Sequence, residues 1–308
     1  MILLWGVPGD GPLDAVQRHL LRYGTDVRLL DQRRAADSTV SLAVDGGRIS
    51  GEVTWARLHQ RVDIGEARAA YMRPVETRRA LSAASARDET ALQRAIQADH
   101  AMMTWADLSQ GLVVNPPAAM AVNNAKPFQL RRIAAYGFAV PDTLVTTDPE
   151  AVQSFARQHG RVIYKSISGV RSIVSTLRPA DITRLSDVAN APTQFQEYVP
   201  GVDVRVHVAG DEIIATEIRS SADDYRYASG NIELTPTALP EDVASRCRAM
   251  AAAMGLSVAG IDLRRTPTRK WVCFEVNPSP AFVYYEEATG QPIGDAIARL
   301  LIRADEAN

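Results

Sequence analysis

At 308 residues the chain is long enough for a sizeable core and for two or three packed lobes. Hydrophobic content of 46%, charged content of 23% and a net charge of −2 are those of an ordinary globular protein, and the lack of a basic surplus argues against a general nucleic-acid binder. Cys247 and Cys273 stand in no metal or redox spacing and no apolar run approaches the about 20 residues of a membrane span, so neither nucleic acid nor membrane is expected as a partner. A cytoplasmic location is the default, with no signal peptide ahead of the first strand.

Ile2 to Val7 reads as a buried strand, followed by a glycine-rich turn, a helix from Leu13 to Tyr23 closed by Gly24, and a second strand from Val27 to Leu30. This βαβ opening points to an α/β domain. Gly6, Gly9 and Gly11 do not have the spacing of a dinucleotide fingerprint and serve the turn. Val40 to Val44 and Arg48 to Val53 form a hairpin, and Ala69 to Met72 is a short strand. A helix over about 86–110 carries an apolar stripe of Leu92, Ile96, Met102, Met103, Trp105 and Leu108. A strand at Leu112 to Val114 ends at Asn115, Pro116 and Pro117, a natural end for a first domain, 1–117.

Lys126 and Pro127 open a helix that reaches Tyr136, Val140 to Thr146 is a strand, and Asp148 with Pro149 caps a further helix ending at His159 and Gly160. The next strand ends at Lys165, which is costly unless an anion meets it, and a loop holding Gly169 leads into another strand. A second boundary is set at 193, between a central lobe, 118–193, and a C-terminal lobe, 194–308. Phe195 to Val199 opens that last lobe. In the strand that follows, Asp203, Arg205 and His207 share one face, and Ala215, Glu217 and Arg219 share a face of the next. His207 reads as a satisfied sheet residue. A helix over 240–254 precedes two apolar runs, Val258 to Leu263 and Trp271 to Val276, joined by a polar link from Arg264 to Lys270, and an amphipathic helix over about 290–303 closes the chain.

Alternation puts Cys273, Glu275 and Asn277 on one face of the later run, and pairing could bring Glu275 opposite Asp262. Two carboxylates that close need a counter-charge, and two carboxylates with an amide carbonyl suit Mg²⁺. The same pattern also fits the wet face of an antiparallel sheet. Lys126, Lys165, Asp203, Arg205, Arg219, Asp262, Glu275 and Asn277 together suit a nucleoside triphosphate. Each alone has a plainer reading as a solvated or surface residue, yet all eight fall where strands end or pair.

The run from NNAKPFQLRRIAAYGFAVPDTLVT through RVIYKSISG, FQEYVPGVDVRVHV and GIDLRRTP to FEVNPSP resembles the ATP-grasp superfamily over about two thirds of the chain. Within it the chain is similar to RimK-type ligases and, through IDLRRTP, Asp224 to Arg226 and Arg73-Pro74, to graspetide (microviridin-type) peptide macrocyclases. The resemblance implies an α/β ATP-grasp fold behind an N-terminal α/β pre-ATP-grasp domain. It implies that Lys126 and Lys165 bind phosphates, that Gln196, Glu197, Tyr198 and Val199 form the adenine hinge, and that Asp203 takes the ribose. Ser168 and Gly169 would lie in the phosphate flap, which with one glycine would rely on Ser166, Ser168 and Arg171. Asp262, Glu275 and Asn277 would hold one or two Mg²⁺ ions, and Arg205 and Arg219 would stabilise the γ-phosphate or an acyl phosphate. The implied activity is ADP-forming ligation of a carboxylate to an amine or hydroxyl, on a precursor peptide whose side chains become crosslinked, in an enzyme of a kind that is commonly a homodimer. The alternatives are a RimK-like addition of an amino acid to a protein or small-molecule carboxylate, and a non-catalytic ATP-binding regulator.

Overall fold

A computed structural model describes residues 1–121, 126–166, 174–220 and 232–307 of a mixed helix and sheet molecule. The first third contains β1 (Ile2–Gly6), α1 (Gly11–Arg22), β2 (Val27–Asp31), β3 (Thr39–Asp45), β4 (Arg48–Trp55), β5 (Gln60–Asp63), β6 (Ala69–Arg73), α2 (Thr77–Ala80), α3 (Glu89–Leu108) and β7 (Leu112–Val114). β2-β1-β6-β7 is a parallel sheet, and β1 is buried along its whole length, as a strand covered on both faces must be. β3-β4-β5 is a separate antiparallel sheet whose third strand, four residues with Val62 alone apolar, gave no sequence signal. α3 begins later than expected, after its cap Asp88, whose side chain accepts from the Thr90 and Ala91 N–H groups. Its buried stripe runs through Leu92, Ala95, Ala98, Asp99, Met102, Trp105 and Ala106, whereas Leu108 is 45% exposed. Small residues let the helix approach closely, and Asp99 is accommodated by hydrogen bonds from Gln32 and Thr77.

α4 (Pro117–Met120), α5 (Lys126–Ala135), β8 (Thr143–Thr146), α6 (Pro149–His159), β9 (Val162–Ser166), β10 (Ser175–Thr176) and β11 (Thr193–Glu197) follow, with a 3₁₀ segment Pro179–Asn190 before β11. They build the sheet β10-β9-β11-β8, on one face of which Val152 of α6, Leu185 of the 3₁₀ segment, Val162 and Phe195 close a small core. The boundary expected at 193 falls at the head of β11, which pairs with β8 and β9 and so extends this unit to Glu197.

β12 (Val202–Ala209), β13 (Glu212–Arg219), β14 (Glu233–Thr237), α7 (Glu241–Ala253), β15 (Val258–Arg265), β16 (Trp271–Asn277), α8 (Val283–Thr289) and α9 (Ile293–Glu306) complete the chain. The sheet β14-β13-β12-β15-β16 is antiparallel, with α7 on one face against Val204, Val206, Ile261, Leu263 and Val276. α9 returns to the first third, where Ile293, Ile297 and Leu301 share a core with Ile2, Leu4, Leu13 and Leu20 and with Ala209 and Val258 of the large sheet. Among the described residues no helix is long and apolar enough to cross a membrane.

Candidate active site

The large sheet presents two chemically different faces, and strand alternation decides which residues meet. Val204, Val206 and Val208 of β12 and Ala259, Ile261 and Leu263 of β15 pack toward α7. The opposite face therefore receives Asp203, Arg205 and His207 from β12 and Gly260, Asp262 and Arg264 from β15. Asp262 lies directly opposite Glu275 of β16, and Gly260 opposite Asn277, so the three predicted metal ligands come together on this face. Cys273 does not join them. The register shifts between Asp262 and Leu263, a bulge that gives β16 an extra residue at Phe274 and turns Cys273 into the core beside Cys247. Burial pushes both thiols up, that of Cys247 to about 12, so neither offers a thiolate.

Arg205 donates to Asp262 Oδ1 at 2.5 Å with its side chain 7% exposed. Its guanidinium lies over Gly260, where a Cβ would collide with it, so the glycine makes room for the cation beside the carboxylates. Asn277 Oδ1 accepts from the Ser279 N–H at 2.9 Å, which fixes the amide at the strand end. Ser279 in turn accepts from Arg73, which is held by Asp10 at 2.6 Å. His207 differs from expectation: it is buried against Tyr285, and neither ring nitrogen has a hydrogen-bond partner among the described residues. Burial and then the Arg205 charge hold its pKa well below the usual imidazole range, so the ring is neutral.

Asp203 is gripped by a residue assigned from the sequence to the polar link. Arg264 donates to Asp203 Oδ1 at 2.7 Å and Oδ2 at 3.0 Å, and to the Val199 carbonyl at 2.7 Å. Its guanidinium stands over the rings of Phe274 and Tyr198, with centroids at 5.0 and 5.8 Å. β15 thus runs two residues further than its apolar run. This one side chain joins Val199, in the expected hinge, to the sheet that carries the carboxylates.

In the small sheet Lys165 pairs with Gln194, and Gln196 with Ile163, all on the face turned away from the α6 core. Gln194 and Gln196 are each 1% exposed, and both side-chain carbonyls lack a hydrogen-bond partner among the described residues. Gln196 donates to the Thr143 hydroxyl at 3.0 Å. Glu197 points the other way, accepting from the Asp142 N–H at 3.0 Å, so only its backbone is available on the Lys165 side. Lys126 opens α5, which is fixed to β16 by Gln129: its amide donates to the Val276 carbonyl at 2.7 Å and accepts from the Val276 N–H at 3.1 Å.

Arg219 is not brought to this face. It follows Ala215 and Glu217 on the α7 side of β13, is 62% exposed, and pairs with Glu217 at 2.7 Å. Ser168, Gly169 and Arg171 of the expected flap, and Asp224 and Arg226, lie outside the described residues.

Residues 121–301 match the RimK-like ATP-grasp domain family. A probable alpha-L-glutamate ligase of Photobacterium profundum is 30% identical over 201 residues, 60% of this chain and 65% of that protein, so the match spans just under two thirds of the relative. The ATP-grasp ligase PsnB, in complex with minimal precursor, Mg and ADP, superposes with a TM-score of 0.81 at 26% identity, covering 99% of this chain and 97% of that one. The macrocyclase MdnC from Microcystis aeruginosa MRC, bound with precursor peptide MdnA, shares the fold with a TM-score of 0.79 at 23% identity over 98% of this chain and 99% of that one. By this match over more than half its length, with Asp262 and Glu275 paired on one face of the sheet within it, the chain belongs to the RimK-like ATP-grasp family.

Proposed function

We propose that the chain is an ATP- and Mg²⁺-dependent ligase that activates a carboxylate side chain of a precursor peptide as an acyl phosphate and joins it to a Lys, Ser or Thr side chain. The observation that carries this reading is the register that sets Asp262, Glu275 and Asn277 on one face beside the buried Arg205. A set of hard oxygen donors fits Mg²⁺, and the buried carbonyls of Gln194 and Gln196, without a partner among the described residues, fit a ligand with amino donors such as adenine. Held by Asp262, Glu275 and Asn277, the ion would supply charge neutralisation on the transferring phosphoryl group.

The protein's own residues do the positioning. The hinge backbone at Glu197 and Val199 receives the base, and Asp203, oriented by Arg264, accepts from the ribose. Lys126 and Lys165, two of the three lysines in a chain that otherwise uses arginine, bind phosphate oxygens. Arg205 steadies the anion that forms when the substrate carboxylate oxygen attacks the γ-phosphorus and ADP departs. The amine or hydroxyl then adds to the activated carbonyl, phosphate leaves with the C–O bond that breaks, and the proton is lost to phosphate or water. Arg219, on the other face, is given no role in this reading.

A peptide is favoured over a free amino acid because the likeness to PsnB covers 99% of this chain, its first third included, while the glutamate-ligase match covers 60%. The second reading, addition of a free amino acid to a carboxylate, rests on that relative's name. Intact mass spectrometry with Mg-ATP and the peptide encoded beside the gene, with ADP measured in parallel, separates them. Loss of one water per ADP supports the crosslinking ligase; a mass gain that requires an added amino acid supports the second. ADP formation under neither condition leaves a non-catalytic nucleotide-binding protein.

A further inference from the structure

Behind the large sheet, on the α7 side and away from the paired carboxylates, lies a groove of about 1040 Å³ bounded by the β15–β16 turn, the start of α7 and the residues entering β12. Four cations line it: Arg246, Arg265, Arg269 and Lys270. Two are fixed, Arg246 by Asp242 at 2.8 Å and Arg265 by Glu217 at 2.9 Å. Among the residues that line the groove, Asp242 is the one carboxylate beside these four cations. Arg269 and Lys270 are exposed and have no carboxylate partner among the described residues.

The turn that presents them is held in a single shape. The Thr266 N–H donates to the Lys270 carbonyl, the Arg269 N–H to the Thr266 carbonyl, and the Lys270 N–H to the Thr266 hydroxyl, at 2.9, 2.9 and 3.0 Å. Arg269 sits at φ 62°, in the left-handed region where glycine would be unstrained. A long cation kept at that position, beside a second one, is the kind of local cost that accompanies ligand recognition.

We propose that this groove binds the carboxylates of an acidic peptide segment, with Arg269 and Lys270 as the principal contacts, at a distance from the nucleotide face. Leu239, Pro240, Pro267 and Trp271 also line it, and cations interleaved with apolar surface suit a peptide better than a phosphate ion. Asp242 within the groove and the chain's net charge of −2 disfavour a nucleic acid. The inference rests on the peptide-ligase reading for its biological sense, but its test needs no turnover.

The probe is fluorescein-labelled hexaglutamate, followed by anisotropy without ATP, with hexaglutamine as control. R269A/K270A should weaken hexaglutamate binding about tenfold or more, as loss of charge-assisted contacts predicts. E275Q, on the other face, should leave the binding unchanged. R269G separates recognition from folding, since it relieves the left-handed strain while removing the cation; it should melt no lower than the parent and still bind more weakly. Binding that survives R269A/K270A, or that E275Q abolishes equally, overturns the proposal. Tighter binding of an RNA hexamer than of hexaglutamate overturns it in favour of a nucleic-acid surface. Absence of ligation with hexaglutamate binding intact defeats only the ligase reading.

Discussion

At the scale of single residues, the polar groups on the large sheet are held mainly by one another. Among the described residues Arg264 donates twice to Asp203 and once to the Val199 carbonyl, so R264A removes the orientation of the carboxylate proposed for the ribose and of the strand end at Val199 together. The expected outcome is a rise in the KM for ATP of about tenfold to a hundredfold, the range for losing bonds to a charged group, with a smaller change in kcat. An unchanged KM would remove Arg264 from nucleotide binding. The sequence concealed this residue because Arg264 and Arg265 begin a run of polar residues that resembles a turn, although Asp262 and Arg264 keep the two-residue alternation of a strand. His207 was legible as a sheet residue but not as one whose ring nitrogens find no partner among the described residues, since that depends on what α8 places above it. Held neutral by burial and by Arg205, it takes up a proton in the unfolded chain, near its usual pKa of about 6.5. Stability is therefore intact above that pH and is lost as the pH falls toward the depressed folded value, by at most about 1.4 kcal/mol per pH unit. H207L should lose less of its urea midpoint between pH 7.5 and pH 5.5 than the parent; an equal loss in both would assign the acid sensitivity elsewhere.

At the scale of elements, the apolar patterning located most of the strands, because β1, β12 and β15 bury apolar residues heavily. It could not place Cys273, since a bulge at Phe274 inverts the facing of everything beyond it and leaves no mark in composition. Nor could it place α5 against β16, which depends on Gln129 acting as the missing neighbour of an edge strand. Its amide satisfies both the N–H and the carbonyl of Val276, between Glu275 and Asn277. Q129L keeps the volume and orphans two buried backbone groups, a loss of about 2–4 kcal/mol. Because α5 also begins at Lys126, the helix should shift and ATP affinity should fall as well. Chemical denaturation together with nucleotide titration checks both; a variant that is destabilised yet binds ATP normally would show that Gln129 serves the fold alone.

At the scale of the molecule, the expected division into three successive lobes understates how the chain closes on itself. α9 packs its apolar face into the core of β1 and α1, and Arg73 from the first sheet reaches Ser279 just beyond β16. These links join residues some 200 or more positions apart, which is why local sequence pattern does not reveal them. Asn115 is the most concentrated of them. Its amide nitrogen donates to the Val258 and Pro278 carbonyls at 2.6 Å each, and its oxygen accepts from the Ser257 and Val258 N–H groups at 3.0 and 3.2 Å. One buried side chain at the end of β7 thus holds the start of β15 and the end of β16 in place. N115A leaves these backbone groups without their partner in a site too enclosed for easy hydration, at a cost of about 3 kcal/mol. For a chain of this size that lowers the melting temperature by on the order of 5–10 °C. Calorimetry should show one transition moved down, since α9 still ties the first third to the rest. A separate early transition would mean that Asn115 alone couples them, and an unmoved one that the four bonds contribute little.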